Sequence, residues 1–317
     1  MFNLIKNEWI KIFSRPGTYV MIGLLVVLVI GVGSVMKFTE NPDTSNVSEG
    51  DWKQQTQMQI ESDKQYLSEN PGGMNEQYIE QQIAINEYRL ENDIKPESGQ
   101  STWSFVNFNA NFVEFVGLFT IIIAAGIVAS EFTWGTIKLL LIRPISRTKI
   151  LLSKYITVLL FGISLLLILF ALSSLVGAVL FGAGDGQPRL VYIDGAVEEQ
   201  NMVLYQIKTY LLKSILITMM ATMAFMISAV FRNSSLAIGI SLFLLFMGGT
   251  ATQFISMKYD WAKYSLFANT DLTMYTGELQ PLVEGMTLGF SITVLIIYFV
   301  IFHLLAFIVF KKRDVAA

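Results

Sequence analysis

The chain has 317 residues, of which 53% are hydrophobic and 15% charged, with no cysteine and a formal net charge of −3. Soluble domains carry about 25% charged residues, so this composition, with a mean hydropathy of +0.53, sets a large share of the surface against lipid. Disulfides, iron–sulfur clusters and thiolate zinc sites are excluded.

Residues 1–17 read as an amphipathic helix ahead of the membrane. Phe2, Ile5, Trp9, Ile12 and Phe13 share one face at helical spacing, with Lys6, Asn7, Lys11 and Ser14 elsewhere. Such a helix lies in the interface, rings in the acyl boundary and lysines at the headgroups. A plain extension of the first span is the alternative. Pro16 and Gly17 break the helix and allow a turn into the bilayer.

Six apolar stretches follow, at 18–38, 110–130, 150–181, 211–230 (207–231 with its flanks), 235–257 and 286–310. Each suffices to cross about 30 Å of hydrocarbon at 1.5 Å per residue. Continuous apolar runs satisfy their backbone in lipid only as helices. The expected fold class is therefore an all-α membrane protein with six transmembrane helices. The first stretch is too long for the apolar region of a cleaved signal, and no clear small-x-small site follows it, so it reads as a retained span.

The connections differ in character. Residues 39–109 form an insertion rich in Gln, Glu and Asn, with a turn signal at Asn70-Pro71-Gly72-Gly73. Its flanks, 51–69 and 75–92, are helix formers with a thin apolar stripe: Trp52, Ile60 and Leu67 on one, Ile79, Ile83 and Leu90 on the other. A helical hairpin docked on the membrane domain is expected, because so small an apolar face scarcely folds alone; disorder is the competing reading. The loop 182–206 opens with Gly182, Gly184 and Gly186, and Val191-Tyr192-Ile193 before Asp194-Gly195 resembles a short hairpin. The loop 258–285 mixes Tyr259, Trp261, Tyr264, Phe267 and Tyr275 with polar residues, which suits the headgroup level.

Charge sets the expected orientation. One alternating set of connections, including the tail 311–317, carries twelve Lys and Arg against three acids, and the rest of the chain ten against twenty-two. Short-loop Lys and Arg mark the cytoplasmic side, which puts both termini inside a plasma membrane.

Enzymatic constellations are almost absent. His303 stands alone near the inner part of the last span and reads as a neutral histidine hydrogen-bonded to a neighbouring helix. Glu114 lies about one turn from the outer interface, facing a polar cavity or water. A phosphate-binding loop needs G-x-x-x-x-G-K-[ST], and the chain has no Gly-Lys pair. Energy from ATP must come through another polypeptide.

The segment 131–149 is the most informative cytoplasmic one. It is punctuated by Gly135 and by Arg143-Pro144, and a residue before proline is pushed away from helix. It reads as a short helix over about 136–142, a turn over 143–146, and entry into the third span with Ser146 as a cap. An ordinary basic loop is the alternative.

Ala129-Ser130-Glu131, then Gly135-Thr136-Ile137-Lys138 and Arg143-Pro144-Ile145-Ser146-Arg147, resembles permease subunits of type-2 ATP-binding-cassette transporters. The amphipathic first helix, six spans and the interfacial loop 258–285 fit the same pattern. The resemblance implies that Glu131, Gly135, Thr136, Lys138, Arg143, Pro144 and Arg147 belong to a coupling element docking on a separate ATPase. Trp9 and Lys11 would lie on a connecting helix touching the same subunit. It further implies two ATPase subunits carrying the ATP and magnesium, a second permease chain, identical or related, and no cofactor in this chain. Phe112, Glu114, Phe115, Phe119, Phe243 and Phe246 are the candidate translocation path, on spans two and five. Gly126-x-x-x-Ser130 and Gly285-x-x-x-Gly289 are candidate close-approach stripes.

The expected function is thus the permease subunit of an ATP-driven exporter, not itself an enzyme, with an antimicrobial peptide or other amphipathic compound as substrate. Nucleic acid is not an expected partner. The alternatives are a non-transporting sensor or immunity protein that captures a ligand with its insertion, and an intramembrane enzyme.

Overall fold

A computed structural model describes residues 1–39, 51–72, 76–96, 101–137, 144–182, 188–193, 195–231, 233–276 and 281–312. Its helices are α1 (Phe2–Phe13), α2 (Pro16–Thr39), α3 (Asp51–Glu69), α4 (Glu76–Glu91), α5 (Thr102–Asn109), α6 (Val113–Thr133), α7 (Arg147–Phe181), α8 (Met202–Phe231), α9 (Ser234–Ser256), α10 (Leu266–Asn269) and α11 (Leu288–Lys312). Six helical segments are long and apolar enough to cross a membrane: α2, α5 with α6, α7, α8, α9 and α11. An even number of passes returns the chain to the end of the bundle where it began, here the terminal end. The opposite end, holding the insertion and both long loops, is the far end.

Burial ranks the spans. The α5–α6 segment and α8 are the most enclosed, whereas α2, α9 and α11 leave most of their surface outward. Between lipid-soluble helices the association comes from close packing and interhelical hydrogen bonds rather than from apolar burial. Both occur between α6 and α8. The Ser228 hydroxyl donates to the Ala125 carbonyl at 2.6 Å and accepts from the Ala129 amide at 3.0 Å. On the other side, a Cβ at Gly162 of α7 would meet Thr120 of α6 and Ile217 of α8 at 3.2–3.3 Å. Gly126 serves the same purpose within the chain, facing Ser234 at the start of α9.

Two single helices exceed the hydrocarbon thickness by the widest margin. α7 has 35 residues and α8 has 30, about 52 and 45 Å at 1.5 Å per residue, against about 30 Å of hydrocarbon. α8 begins at Met202, well before the apolar stretch, so its first turns rise above the far end and carry part of the superstructure there. The second span is also longer than its apolar run. Ser101 accepts from the Ser104 amide at 3.1 Å while the Ser104 hydroxyl accepts from the Ser101 amide at 2.9 Å, a reciprocal cap that starts α5 eight residues before the expected 110. A 3-10 turn at Ala110–Phe112 joins α5 to α6. The Thr102 hydroxyl donates to the Gly182 carbonyl, tying α5 to the end of α7.

The insertion is a helical hairpin with bounds close to those read from its periodicity. Trp52, Thr56 and Ile60 of α3 and Ile83 and Ile85 of α4 are buried, and Leu67, Ile79 and Leu90 half-buried. Gly72, at φ +75°, donates its amide to Glu76 at 2.7 Å and so opens α4; Gly73 lies outside the described residues. α4 packs on a two-stranded antiparallel sheet, β1 (Arg189–Ile193) with β2 (Ala196–Gln200), in which Ile193 faces Ala196 across the two-residue turn. Gly195 sits at φ +90°, which the tight turn requires. Asp194, Gly184 and Gly186 lie outside the described residues. The loop before the last span folds as 3-10 turns at Asp260–Tyr264 and Leu272–Thr276 around α10. It leaves Tyr259, Trp261 and Tyr264 exposed, as rings at the headgroup level would be. Gly285, at φ +80°, belongs to the turn before α11 and not to a helix face, so the stripe expected with Gly289 is not formed.

Phe267 of α10 seats its ring on Gly248 of α9. A Cβ there would come within 2.4 Å of the ring, while at the adjacent Gly249 it would meet nothing within 4 Å. Gly248→Ala is expected to lower the melting temperature of the detergent-solubilised protein, at a cost of about 1–3 kcal/mol from overpacking. Gly249→Ala should leave it unchanged, and equal melting temperatures for the two variants would contradict this seat.

Candidate functional site

At the terminal end, α1 lies along α7. Ile12 is 3% exposed in the core, Phe13 sets its ring edge-on to Phe161 at 6.1 Å, and Trp9 packs on Phe13 at 4.7 Å with the rings tilted by 35°. The Thr18 hydroxyl donates to the Ile12 carbonyl at 2.6 Å, which fixes the corner between α1 and α2. Phe2 and Ile10 remain exposed. The face turned to the protein also includes Glu8, one helical turn before Ile12, and Glu8 is buried. An acid on that face requires a partner inside the protein.

The partner is Lys154, in the second turn of α7, whose side chain is 3% exposed. Its Nζ lies 2.9 Å from Glu8 Oε2 and 2.9 Å from Glu131 Oε1 at the end of α6. Lys11 closes the group, 3.2 Å from Glu8 Oε1 and 3.3 Å from Glu131 Oε1. Two ammonium groups and two carboxylates thus alternate, and their charges cancel. The Thr136 hydroxyl donates to Glu131 as well. This last bond depends on the chain reversing after α6. Gly135 does so at φ +70°, with Trp134 donating to Ser130 at 2.9 Å and Gly135 to Phe132 at 3.2 Å. A residue with a Cβ pays about 1–2 kcal/mol for that left-handed conformation. Arg15 lies over the Trp134 ring at 5.5 Å, joining the α1–α2 corner to the same turn.

The electrostatics follow from the partial burial of Lys11. Burial disfavours its charge, but the carboxylates of Glu8 and Glu131 outweigh that effect and raise its pKa above the ordinary 10.5. A raised lysine pKa gives stability that is complete below the ordinary value and is lost as pH climbs through the higher folded one. The contribution of Lys11 therefore persists across the neutral range.

The structure brings Glu131 and Thr136 of the expected coupling element together with Lys11 of the expected connecting helix, and places Gly135 at the turn that unites them. Ser146 caps α7, accepting from the Lys149 amide at 3.4 Å. Arg147 donates to the Lys311 carbonyl at 3.3 Å, linking α7 to the end of α11, and Pro144 is exposed. Lys138, Arg143 and nearly all of the helix expected over 136–142 lie outside the described residues. Glu8 and Lys154 join the site without having been selected from the sequence. The signal existed for both: a lone cation four residues into the apolar run starting at Ile150, and a lone acid on an apolar helix face.

The aromatic residues expected along a path do not converge within one chain. Phe119 is packed in the core at 6% exposure, whereas Phe115, Phe243 and Phe246 are exposed and Phe112 is half-buried. Glu114 and Phe246 do share a cavity of about 400 Å3 between α6, α8 and α9, lined also by Lys213, Leu216, Met220 and Asp271. His303 differs from expectation. It donates from Nδ1 to Phe299 of its own helix at 2.9 Å and sets its ring against Tyr155 of α7 at 4.5 Å, so it bonds within α11 and packs on the neighbour.

The six apolar helices define a multi-pass membrane protein. Residues 74–316 match the family described as "Protein of unknown function (DUF2705)", and the chain belongs to that family. Among its relatives, "Uncharacterized protein YhcI" of Bacillus subtilis (strain 168) is 54% identical over 319 aligned positions, covering all of both chains. "Uncharacterized membrane protein YdbK" of the same organism is 35% identical over 197 positions, 62% of this chain and 76% of that one.

Removing one partner from a buried ion group costs about 3–5 kcal/mol because the other charge is left unpaired. Lys154→Met is therefore expected to lower the melting temperature of the purified protein markedly. Adding Glu8→Gln to it should recover part of the loss, and strict additivity of the two changes would contradict the coupling.

Proposed function

We propose that this chain is the permease subunit of an ATP-driven exporter of the type-2 ATP-binding-cassette kind, with the terminal end in the cytoplasm. One observation carries the reading: the ion group of Glu8, Lys11, Glu131 and Lys154 binds the first helix, the turn after span two and the start of span three into one unit. That turn holds the residues that resemble a coupling element. An ATPase pressing on it would move three elements together, and a lever needs such a rigid base. The excess of Lys and Arg in the short connections at this end supports a cytoplasmic position.

In this reading two ATPase subunits supply ATP and magnesium, and a second permease chain completes the pathway. The outward aromatic face of α9, with Phe243 and Phe246, supports an amphipathic compound such as an antimicrobial peptide as substrate. Nucleotide-driven closure of the ATPase pair would rock the permeases between two arrangements. A sensor that captures its ligand at the far end is the second reading, favoured by a cavity beneath the insertion, and it differs in needing no ATPase.

The test uses the protein with its cognate ATPase expressed together. Gly135→Val, by straining the turn by about 1–2 kcal/mol, and Arg147→Glu, by losing a charged contact, should each reduce ATPase copurification and transport in vesicles about tenfold. Unchanged values in both assays would overturn the coupling assignment, and full protection of cells lacking the ATPase would favour the sensor.

A further inference from the structure

At the far end, α4, α5, β1 and the first turns of α8 enclose a cavity of about 570 Å3, within the range of small-molecule sites. The insertion roofs it through Tyr78, Gln81 and Gln82. Its charged wall residues are Arg189 of β1 and Lys213 of α8, and no carboxylate lines it among the described residues. The Arg189 guanidinium lies over the Tyr205 ring at 5.4 Å, which holds its planar fork in place. Lys213 is half-buried, its Nζ 3.4 Å from Asn111 Oδ1.

The surrounding charges reinforce the sign. Burial, and after it the charge of Arg189, lower the pKa of Arg89 on α4, so a further guanidinium stands close by. Two acids of the superstructure, Glu87 and Glu199, do not line the cavity; Glu87 pairs with Lys64 at 2.7 Å and Glu199 accepts from the Tyr88 hydroxyl at 3.2 Å. The neighbouring 400 Å3 cavity shares Lys213 but carries Glu114 and Asp271, which repel an anion from that side. The remaining polar wall combines the side-chain amides of Gln81, Gln82, Asn107 and Asn111 with the hydroxyls of Ser104, Thr209 and Thr273, groups able to donate and accept at once. Such pairs suit hydroxyl groups, and tyrosine rings supply flat faces beside them.

We propose that this cavity binds a phosphate-bearing polyol, its phosphate drawn to Arg189 and Lys213 and its hydroxyls to the amides. The ligand is either the headgroup of a membrane lipid or a free molecule of the same chemistry. This site goes beyond the exporter reading and needs no ATPase, so its test stands or falls separately.

The experiment titrates the full-length protein, purified in dodecyl maltoside, with phosphatidylglycerol, phosphatidylcholine or glycerol phosphate, and counts adducts by native mass spectrometry. Phosphatidylglycerol or glycerol phosphate should be retained about tenfold more tightly than phosphatidylcholine, one charged contact's worth. Retention of the first identifies a lipid source, and of the second a free one. Lys213→Gln and Arg189→Gln should each weaken that retention about tenfold, Lys213→Arg should keep it, and Lys64→Gln should not alter it. If Arg189→Gln does not fold, the two Lys213 variants decide. Equal retention of phosphatidylcholine, no retention of either phosphate compound, or indifference to Lys213→Gln would overturn the proposal.

Discussion

Lys154 carries a charge into an apolar helix, where lipid offers it nothing, and the arrangement of the terminal end follows from how that charge is met. A single carboxylate would neutralise it, but the structure supplies two, from α1 and from the end of α6. The excess negative charge is balanced by Lys11. The first helix is consequently held to the protein by ion pairs as well as by the packing of Ile12 and Phe13. Buried ion groups of this kind contribute little net stability, since desolvation offsets most of their attraction. They do penalise every arrangement in which α1, α6 and α7 separate, so their effect is on which geometry forms.

That penalty explains the division of the molecule. At the terminal end, helices meet through charges and a glycine turn, a connection specific in partner and direction. In the middle, α6 and α8 meet through small residues and hydroxyls such as Ser228, which favours close and unyielding contact. At the far end, the insertion, the sheet and the loop around α10 rest on helices that outrun the hydrocarbon.

Much of this was legible in the sequence. The spans, the insertion hairpin, the break at Pro16 and the turn at Gly195 each rest on periodicity or on local turn chemistry, which act within a few residues. The early start of span two was missed because Ser101 and Ser104 cap α5 with two serines, a weaker signal than a Ser-x-x-Glu box. The burial of Phe119 was unreadable because a span apolar on every side carries no facing signal. The ion group divided in the same way. A lone lysine in an apolar run announces that a partner exists, but which acid answers it depends on how α1 folds back, and no spacing in the chain encodes that. His303 shows the converse, since its partner lies four residues away and a purely local account would have found it.

The claim on which the rest depends is that α1 is fastened to α6 and α7 through Lys154. The chain has no native cysteine, so two introduced ones can be spin-labelled without background. Labels at Asn7 and Lys149, both exposed, report the α1–α7 distance by pulsed electron resonance in lipid nanodiscs. The account predicts one narrow distribution that broadens when Lys154 is changed to Met. A broad distribution in the otherwise unaltered protein, or one indifferent to Lys154, would contradict it.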